Sequence, residues 1–402
     1  MNCLIYVSNN AILPDNKLNP FFAQEKEWLL ENNGEFYVVC PKGLYVCQES
    51  GQIKKMLSSQ LYTLLCVICI FFDKNVYIEI KRMMSDHKCT AVNILKILRF
   101  SYQGSILEML IKKIIHIKGR SNYILYSYWL SYDAYACSKI KAKYKNIRAI
   151  SRAHAFEIQL HRNSCNPYLM KHYICQNLDK IAFISENAKD AFGEYYKEEL
   201  NASTVIYIGS TKKNTGYIQR SKSDTLTILS CSSIIPIKRL DYMVEAIKDW
   251  ENSKIHWIHV GSGPLMDNIL QMAKEKLSSN DNVSYQFLGS LDNAKAHEVM
   301  KNIEIDAFVN MSESEGVPVS IMEAMSCGIP IIAPSIFGIP ELVNTDSGIL
   351  FDSSKGIQEF QKSIKLFNNL SNEQRIAMGK NAYYTWKEKF CLEDNLSLLF
   401  EK

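Results

Sequence analysis

A two-domain α/β fold, each domain a parallel sheet covered by helices, is what this sequence predicts, and three observations predict it. The chain has 402 residues, which at ~150 residues per domain suggests two or three compact units. Apolar residues make up 47% and charged residues 22%, the composition of an ordinary globular protein, which argues against disorder, collagen and coiled coil. Short apolar runs alternate with helix-length stretches in two successive series, and such alternation implies parallel strands joined by covering helices.

In chain order, residues 3–8 form an apolar run ending in a polar loop, 21–31 has helical character and 36–40 returns to strand. Later strands are expected at 123–126, 148–151, 180–185 and 204–208, separated by helix-length stretches such as 133–146 and 186–199. From Gly209 to Ser223 the sequence turns polar, with Ser210, Thr211, Lys212, Lys213, Asn214, Thr215 and Gly216 in a row, the pattern of a linker. The alternation then restarts, with strands at 226–230, 255–260 and 283–288 and helices at 240–250 and 264–277. It closes with strand 306–309, polar loop 311–316, short helix 319–327 and strand 329–333. These runs place a first domain at 1–208, a linker at 209–225 and a second domain at 226–382, with 383–402 expected as a helix packing back toward the first domain. No repeat of 20 to 50 residues is visible, which argues against a solenoid.

A bilayer span needs ~20 apolar residues, and the run 61–72 ends against Asp73 and Lys74, so no transmembrane helix is expected. Residues 1–8 run straight into Asn9 and Asn10 without the basic and apolar regions of a signal peptide, and a cytoplasmic protein is the expectation. Twelve cysteines are scattered, and Cys40, Cys66, Cys69, Cys175 and Cys231 sit in apolar runs, the placement of buried reduced thiols. Cys66 and Cys69 have metal-pair spacing, but no second pair or nearby histidine completes four ligands.

The net charge of +4 hides an asymmetry: residues 51–150 hold 17 Lys plus Arg against 5 Asp plus Glu, a local +12, so everything else sums to −8. The basic residues lie among helical patterns such as 106–118, where Leu107, Leu110, Ile111 and Ile114 recur beside Lys112, Lys113 and Lys118. Nucleic acid, an anionic membrane face and an acidic acceptor would all gain from such a surface. No zinc-finger, helix-turn-helix or RNA-binding signature accompanies the charge, which leaves peripheral contact with an anionic membrane as the favoured partner and nucleic acid as none.

The most informative stretch surrounds Pro318. A proline fits the first turn of a helix, where its missing N–H costs nothing, and Cys327-Gly328 closes that helix. The helix dipole and its unfilled N–H groups make loop 314–320 a seat for a diphosphate. Glu315 in the loop and Glu323 in the helix frame that seat, and carboxylates accept hydrogen bonds from vicinal hydroxyls, so the arrangement suits a nucleotide sugar.

The run from Glu315 through Gly316, Val317, Pro318, Val319, Ser320 and Glu323 to Ala333 resembles the signature of family-four retaining glycosyltransferases. Segments 230–246, 260–264, 287–289 and 338–343 with Gly348 are similar in order and spacing. The resemblance covers nearly all of 226–352, and is carried more weakly before it by 22–30, Trp129 and Ser151-Arg152-Ala153-His154. It implies the GT-B architecture, two Rossmann-like domains facing a central cleft, with a nucleotide-diphosphate sugar as co-substrate, no cofactor and no metal; no DxD-like pair stands in a convincing loop.

By that resemblance Glu323 would bind the nucleotide ribose, Glu315 the donor sugar, and Lys238 the leaving diphosphate. His154, after the strand at 148–151, would lie near the reacting centre, and Gly316, Val317, Pro318, Val319, Ser320, Gly261, Gly263 and Leu288 would line the donor. Gly261 and Gly263 lack the third glycine of a dinucleotide fingerprint. The family usually has an arginine five residues before the lysine; here that position is Ser233, with Arg239 as one possible compensation. The first glycine-rich loop of many members is replaced by Val7-Ser8-Asn9-Asn10-Ala11.

The expected activity is retaining, metal-independent hexosyl transfer to a hydroxyl of a lipid-linked glycan, such as a polyprenyl diphosphate oligosaccharide. The setting would be bacterial surface polysaccharide synthesis, lipopolysaccharide or capsule, on the inner face of the membrane. Two rivals share the donor: a GT-B nucleotide-sugar epimerase, and a catalytically silent sugar-nucleotide-binding subunit of a glycan-assembly complex.

Overall fold

The computed structural model describes residues 3–401 apart from 14, 16, 120–121, 159–167, 197–201, 213–214, 220–222 and 252. The end of the expected helix 186–199, and Lys213, Asn214 and residues 220–222 of the expected linker, lie outside the described residues. The chain divides into two compact units, Met1–Ile206 and Tyr207–Lys402.

The first unit is built on strands β1 (Cys3–Val7), β2 (Phe36–Cys40), β3 (Gly43–Cys47), β4 (Ile53–Ser58), β5 (Tyr123–Ser127), β6 (Arg148–Ala153), β7 (Lys180–Phe183) and β8 (Ser203–Val205). They lie in the order β4-β3-β2-β1-β5-β6-β7-β8. All neighbours are parallel except β2/β3 and β3/β4. Apart from the half-buried edge strand β8, the parallel strands are largely buried on both faces, and β2 accordingly reads as an unbroken apolar run, Phe36–Cys40. The antiparallel strands β3 and β4 are an addition that the sequence pattern did not announce.

Its helices are α1 (Pro20–Asn33), α2 (Thr63–Phe71), α3 (Lys74–Ser85), α4 (Ala91–Lys118), α5 (Tyr132–Lys143), α6 (Ala155–Ile158), α7 (Lys171–Gln176) and α8 (Glu186–Tyr196). Asn19 caps α1 by accepting from the Phe21 N–H, and Pro20 occupies its first turn. The expected helix 106–118 is the second half of the 28-residue α4. Its apolar side, Leu107, Leu110, Ile111 and Ile114, is buried in the core, and Lys113, His116, Ile117 and Lys118 are exposed while Lys112 is half-buried. The basic amphipathic surface expected there is therefore a charged face over a core helix. Gly104 explains how closely α5 approaches: a Cβ there would lie 2.8 Å from a ring carbon of Tyr135, so glycine outweighs its helix penalty.

Beneath the sheet, Arg152 on β6 is fully buried. Its Nε donates to the Tyr126 hydroxyl at 2.9 Å and lies 3.5 Å from Glu25 of α1, while Tyr126 donates to Glu25 at 3.1 Å. Burial pushes the Glu25 carboxyl up to about 7, against the pull of Arg152 and Tyr126. The three residues fasten α1 to β5 and β6.

The second unit carries β9 (Thr225–Cys231), β10 (Lys254–Val260), β11 (Val283–Phe287), β12 (Ala307–Val309), β13 (Ile331–Pro334) and β14 (Gly348–Phe351) in an all-parallel sheet. Its order is β11-β10-β9-β12-β13-β14, the doubly wound Rossmann arrangement in which the chain reverses direction between the first and fourth strands. Helices α9 (Leu240–Ile247), α10 (Met266–Leu277), α11 (Asn293–Asn302), α12 (Val319–Ser326), α13 (Ile339–Leu342), α14 (Ile357–Asn368), α15 (Asn372–Lys389) and α16 (Leu392–Phe400) connect and cover it. Leu226, Ile228, Met243, Val244 and Trp257 belong to a core that extends to Phe360 and Ile364 of α14.

The start of the expected linker is ordered structure of this unit. Ser210 bonds the backbone of Phe390 and Leu392 at 3.0 Å each and accepts from Trp386 Nε1 at 2.8 Å.

Arg152→Met leaves Glu25 buried without its cation, and loss of one partner of such a pair costs about 3 kcal/mol or more. Urea unfolding should show that loss, and the double variant Glu25→Leu/Arg152→Met should recover a large part of it.

Candidate active site

Crossover connections put loops at the carboxyl edge of a parallel sheet, and a reversal of strand order opens a crevice there. In the second unit the reversal lies between β9 and β12. The loop after β9 makes one 3-10 turn, Pro236–Lys238, with proline in its first position. The loop after β12 carries Asn310 to Pro318 and leads into α12. A backbone bond from Glu313 N–H to the Ile237 carbonyl, 2.9 Å, ties the two loops together.

Across that reversal Lys238 Nζ meets Glu315 Oε1 at 2.5 Å. The same oxygen lies 3.4 Å from Asn310 Nδ2. Both side chains are largely covered, 21% exposed for Lys238 and 11% for Glu315, so the pair is less screened than one on open surface. Lys238 and Glu315, 77 positions apart in sequence, are thus brought into direct contact. Gly316, Val317 and Pro318 follow Glu315 into the amino end of α12, where the first backbone N–H groups have no intrahelical acceptor. Val319 and Ser320, in its first turn, are partly exposed.

Glu323 stands in α12, buried to 6% exposure. Asn293 Nδ2 donates to its Oε1 at 2.6 Å, and His297 Nε2 is 3.8 Å away, both from α11. Burial pushes the Glu323 carboxyl up to about 7, and the bond from Asn293 pulls it back. Cys231, at the end of β9, feels both groups: burial raises its thiol to about 12, Glu323 adds to the rise and Lys238 opposes it. Asn293 and His297 were not singled out from sequence; the only signal available was their place at the start of the helix after β11.

Gly261 and Gly263 serve a packing need. A Cβ at Gly261 would sit 1.8 Å from the Ser232 carbonyl oxygen, where φ is already +143°, and one at Gly263 would sit 2.4 Å from the Ile234 oxygen. The loop after β10 therefore lies directly on the loop that carries Lys238. Leu288 follows β11, its N–H bonded to the His259 carbonyl at 2.9 Å. Ser233 is exposed. Arg239 stacks on Tyr242, its guanidinium carbon 3.6 Å from the ring centroid, and pairs with Asp241 at 3.0 Å and with Glu313, so its charge is engaged by one carboxylate of its own connection and one of the loop after β12.

In the first unit the reversal of strand order lies between β1 and β5. Trp129 Nε1 donates to Asn10 Oδ1 at 3.0 Å across it. His154, just after β6, packs against Trp129 with ring centroids 4.4 Å apart. Its Nε2 faces the Tyr128 carbonyl at 2.9 Å; a carbonyl only accepts, so Nε2 carries the proton and Nδ1 is the lone-pair side. Burial, then Arg152, lowers the ring to about 3, which keeps it neutral at ordinary pH.

Sequence reasoning missed the groups around it. Glu157 accepts from the His154 N–H at 2.8 Å, Asp133 accepts from the Asn9 N–H at 3.1 Å, and Lys171 donates to the Leu130 carbonyl. Burial raises Asp133 to about 7, raises Glu157 and lowers Lys171. Their spacing in sequence carries no motif; only the sheet edge gathers them.

Residues 213–385 match the glycosyl transferases group 1 family. That match covers most of the second unit, Tyr207–Lys402. An uncharacterized glycosyltransferase of Methanocaldococcus jannaschii is 28% identical over 239 residues, 59% of this chain and 62% of that protein. N-acetyl-alpha-D-glucosaminyl L-malate synthase of Bacillus anthracis is 29% identical over 188 residues, 46% of each chain. The matched regions thus span less than two thirds of these relatives. Among solved structures, sucrose-phosphate synthase from Thermosynechococcus elongatus has a TM-score of 0.68 at 14% identity, covering 99% of this chain and 97% of that one. Anabaena HepE in complex with UDP has a TM-score of 0.63 at 13% identity, covering 99% and 98%. The fold is GT-B.

The buried acid of the second unit has a consequence for stability. The folded Glu323 holds its proton to about pH 7, above the ordinary 4.5. Its contribution is therefore fully present below pH 4.5 and is lost as pH rises through 7. Glu323→Gln removes that dependence. Thermal unfolding should show the variant equal to the parent near pH 4.5 and more stable at pH 8, by up to about 3 kcal/mol.

Proposed function

We propose that this chain moves a sugar from a nucleotide-diphosphate donor to a hydroxyl of a lipid-linked glycan, with retention at the anomeric carbon. The observation that carries the reading is the Lys238–Glu315 contact across the strand reversal, beside the amino end of α12. The UDP held by the HepE structure supports a nucleoside diphosphate as the leaving group.

In this reading the diphosphate draws Lys238 away from Glu315 and lies against the amino end of α12. Fixed positive charge is then strongest where negative charge grows as the glycosidic bond breaks. Glu315, released, accepts hydrogen bonds from donor-sugar hydroxyls, and Glu323 accepts from the ribose, with Asn293 fixing its orientation. Gly316, Val317, Ser320 and Leu288 line the donor. His154 supplies its Nδ1 lone pair to a sugar hydroxyl as a neutral group. Lys238 and the helix end supply the charge compensation, so the reading invokes no metal and no cofactor. Holding the reactants in line provides the rest of the rate.

The acceptor side belongs to the first unit, and the excess of cations in residues 51–150 supports an anionic, membrane-borne acceptor on the cytoplasmic leaflet, in surface polysaccharide assembly. The relatives include a monoacylated phosphatidylinositol monomannoside mannosyltransferase of Corynebacterium glutamicum, 26% identical over 180 residues, which supports a lipid-linked acceptor class.

A panel of sugar nucleotides incubated with purified protein tests the reading. Slow release of nucleoside diphosphate from one donor is expected; no release from any, with or without a polyprenyl-diphosphate glycan, would sink it, and an altered but intact sugar nucleotide would mark an epimerase. Lys238→Ala should lower turnover ~100-fold or more with a smaller change in donor binding. Glu323→Ala should instead weaken donor binding ~10-fold, the loss of hydrogen bonds to a charged acceptor. Because ionised Glu323 is the better acceptor, donor affinity should tighten from pH 6 to pH 8 in the parent and stay flat in Glu323→Gln, as calorimetry can measure.

A further inference from the structure

We infer that α2, α3 and the first turns of α4 form a surface that inserts into an anionic bilayer leaflet, with a cavity at the root of α2 receiving a lipid phosphate. The site expected from sequence, 106–118, has its apolar side in the core; the exposed apolar surface lies earlier. Leu64, Leu65, Ile68, Phe71 and Phe72 are 77%, 51%, 52%, 68% and 79% exposed. Tyr77 and Ile78 of α3 and Val92 and Leu95 of α4 are also more than half exposed. Among the large apolar side chains of the described residues, these form the densest exposed group in the sequence, and soluble surfaces rarely leave so much uncovered without a partner.

The charge around it selects the partner. Lys54, Lys55, Lys74, Lys81, Lys88 and Lys96 are exposed. Residues 51–100 contain three acids, and each is engaged within the unit: Asp73 by Ser101 and Tyr135, Glu79 by Arg82, and Asp86 by the Tyr168 hydroxyl. A second copy packed on this face about a two-fold axis would set lysines against lysines. An anionic leaflet instead meets both features, apolar chains below and phosphates at the rim. Helix α2 has nine residues, none of them charged, too short to span a bilayer and suited to lie within its interface.

The cavity beside this surface has a volume of about 680 Å³, and Lys42, Tyr45, Lys55, Ser58, Ser59 and Gln60 are among its lining residues. Ser59 anchors its wall by donating to the Pro41 carbonyl. Gln60 precedes Leu64 by four positions, so the cations and hydroxyls of the cavity adjoin the amino end of α2, beside the headgroups among which a helix lying in the interface rests. The inference deepens the proposal of a lipid-linked acceptor and rests on it for its purpose. Its test uses neither donor nor acceptor, so its failure leaves the donor-turnover result standing.

The experiment is co-sedimentation of the full chain with phosphatidylcholine vesicles, with and without phosphatidylglycerol, at low and high salt. Binding that needs the anionic lipid and weakens with salt is expected. Phe71→Ser/Phe72→Ser, at exposed positions, should lower it ~10-fold or more with an unchanged melting temperature. Lys55→Gln should weaken it more than Lys54→Gln, because Lys55 lines the cavity and its neighbour does not. Absence of vesicle binding, or unchanged binding by the phenylalanine variant, overturns the proposal; equal effects of the two lysine variants overturn the phosphate cavity. A dimer in sedimentation that the phenylalanine variant converts to monomer, without vesicle binding, assigns the face to self-association and overturns the bilayer.

Discussion

One ion pair at a reversal of strand order organises the second unit. A lysine from the loop after the first strand and a glutamate from the loop after the fourth can meet only if the sheet is wound in both directions from its centre, so Lys238 touching Glu315 is a statement about topology as much as electrostatics. The neighbouring details serve the same contact. Gly261 and Gly263 let the next loop lie against the lysine loop, and the Glu313–Ile237 backbone bond holds the two loops in register. Without an anionic ligand the lysine is already matched by a carboxylate, so an incoming anion must replace that partner and not merely be attracted.

The first unit uses burial differently. Its acids and bases at the sheet edge lie deep enough that Asp133 and Glu157 shift upward while Lys171 shifts downward. Burial thus disfavours the charged forms of these groups, and His154 stays neutral under burial and the nearby Arg152 cation. A neutral ring with one nitrogen committed to a carbonyl has a fixed orientation, which suits recognition of a hydroxyl better than proton transfer.

Much of the second unit was legible in the sequence because its chemistry is local: a strand, a tight loop and a helix start follow one another within 307–326. The runs 36–40, 255–260 and 283–288 matched observed strands to within a residue at each end: the first two are largely buried on both faces, and the third, at the sheet edge, alternates half-buried and exposed residues. The first unit was harder to read. Strand β4 carries Lys54 and Lys55, a pattern that resembles a loop, and the short apolar β3 pairs with it as an antiparallel edge. Helix 106–118 was recognised by its period, but period alone does not say whether the apolar stripe meets core or solvent; α5 and the sheet decide that. Glu323 was legible through its motif, whereas its partners Asn293 and His297 belong to a helix whose relation to α12 only the fold reveals. Asp133 and Lys171 were beyond reach for the same reason.

The length of α4 has a mechanical meaning. At about 1.5 Å per residue its 28 residues extend ~42 Å. The far half is clamped in the core, the near half buries Ile97 and Phe100, and only the first turns present Val92 and Leu95 outward. A continuous helix resists bending, so load applied to those first turns reaches the buried length as torque, at Gly104 against Tyr135, where even a methyl group would clash.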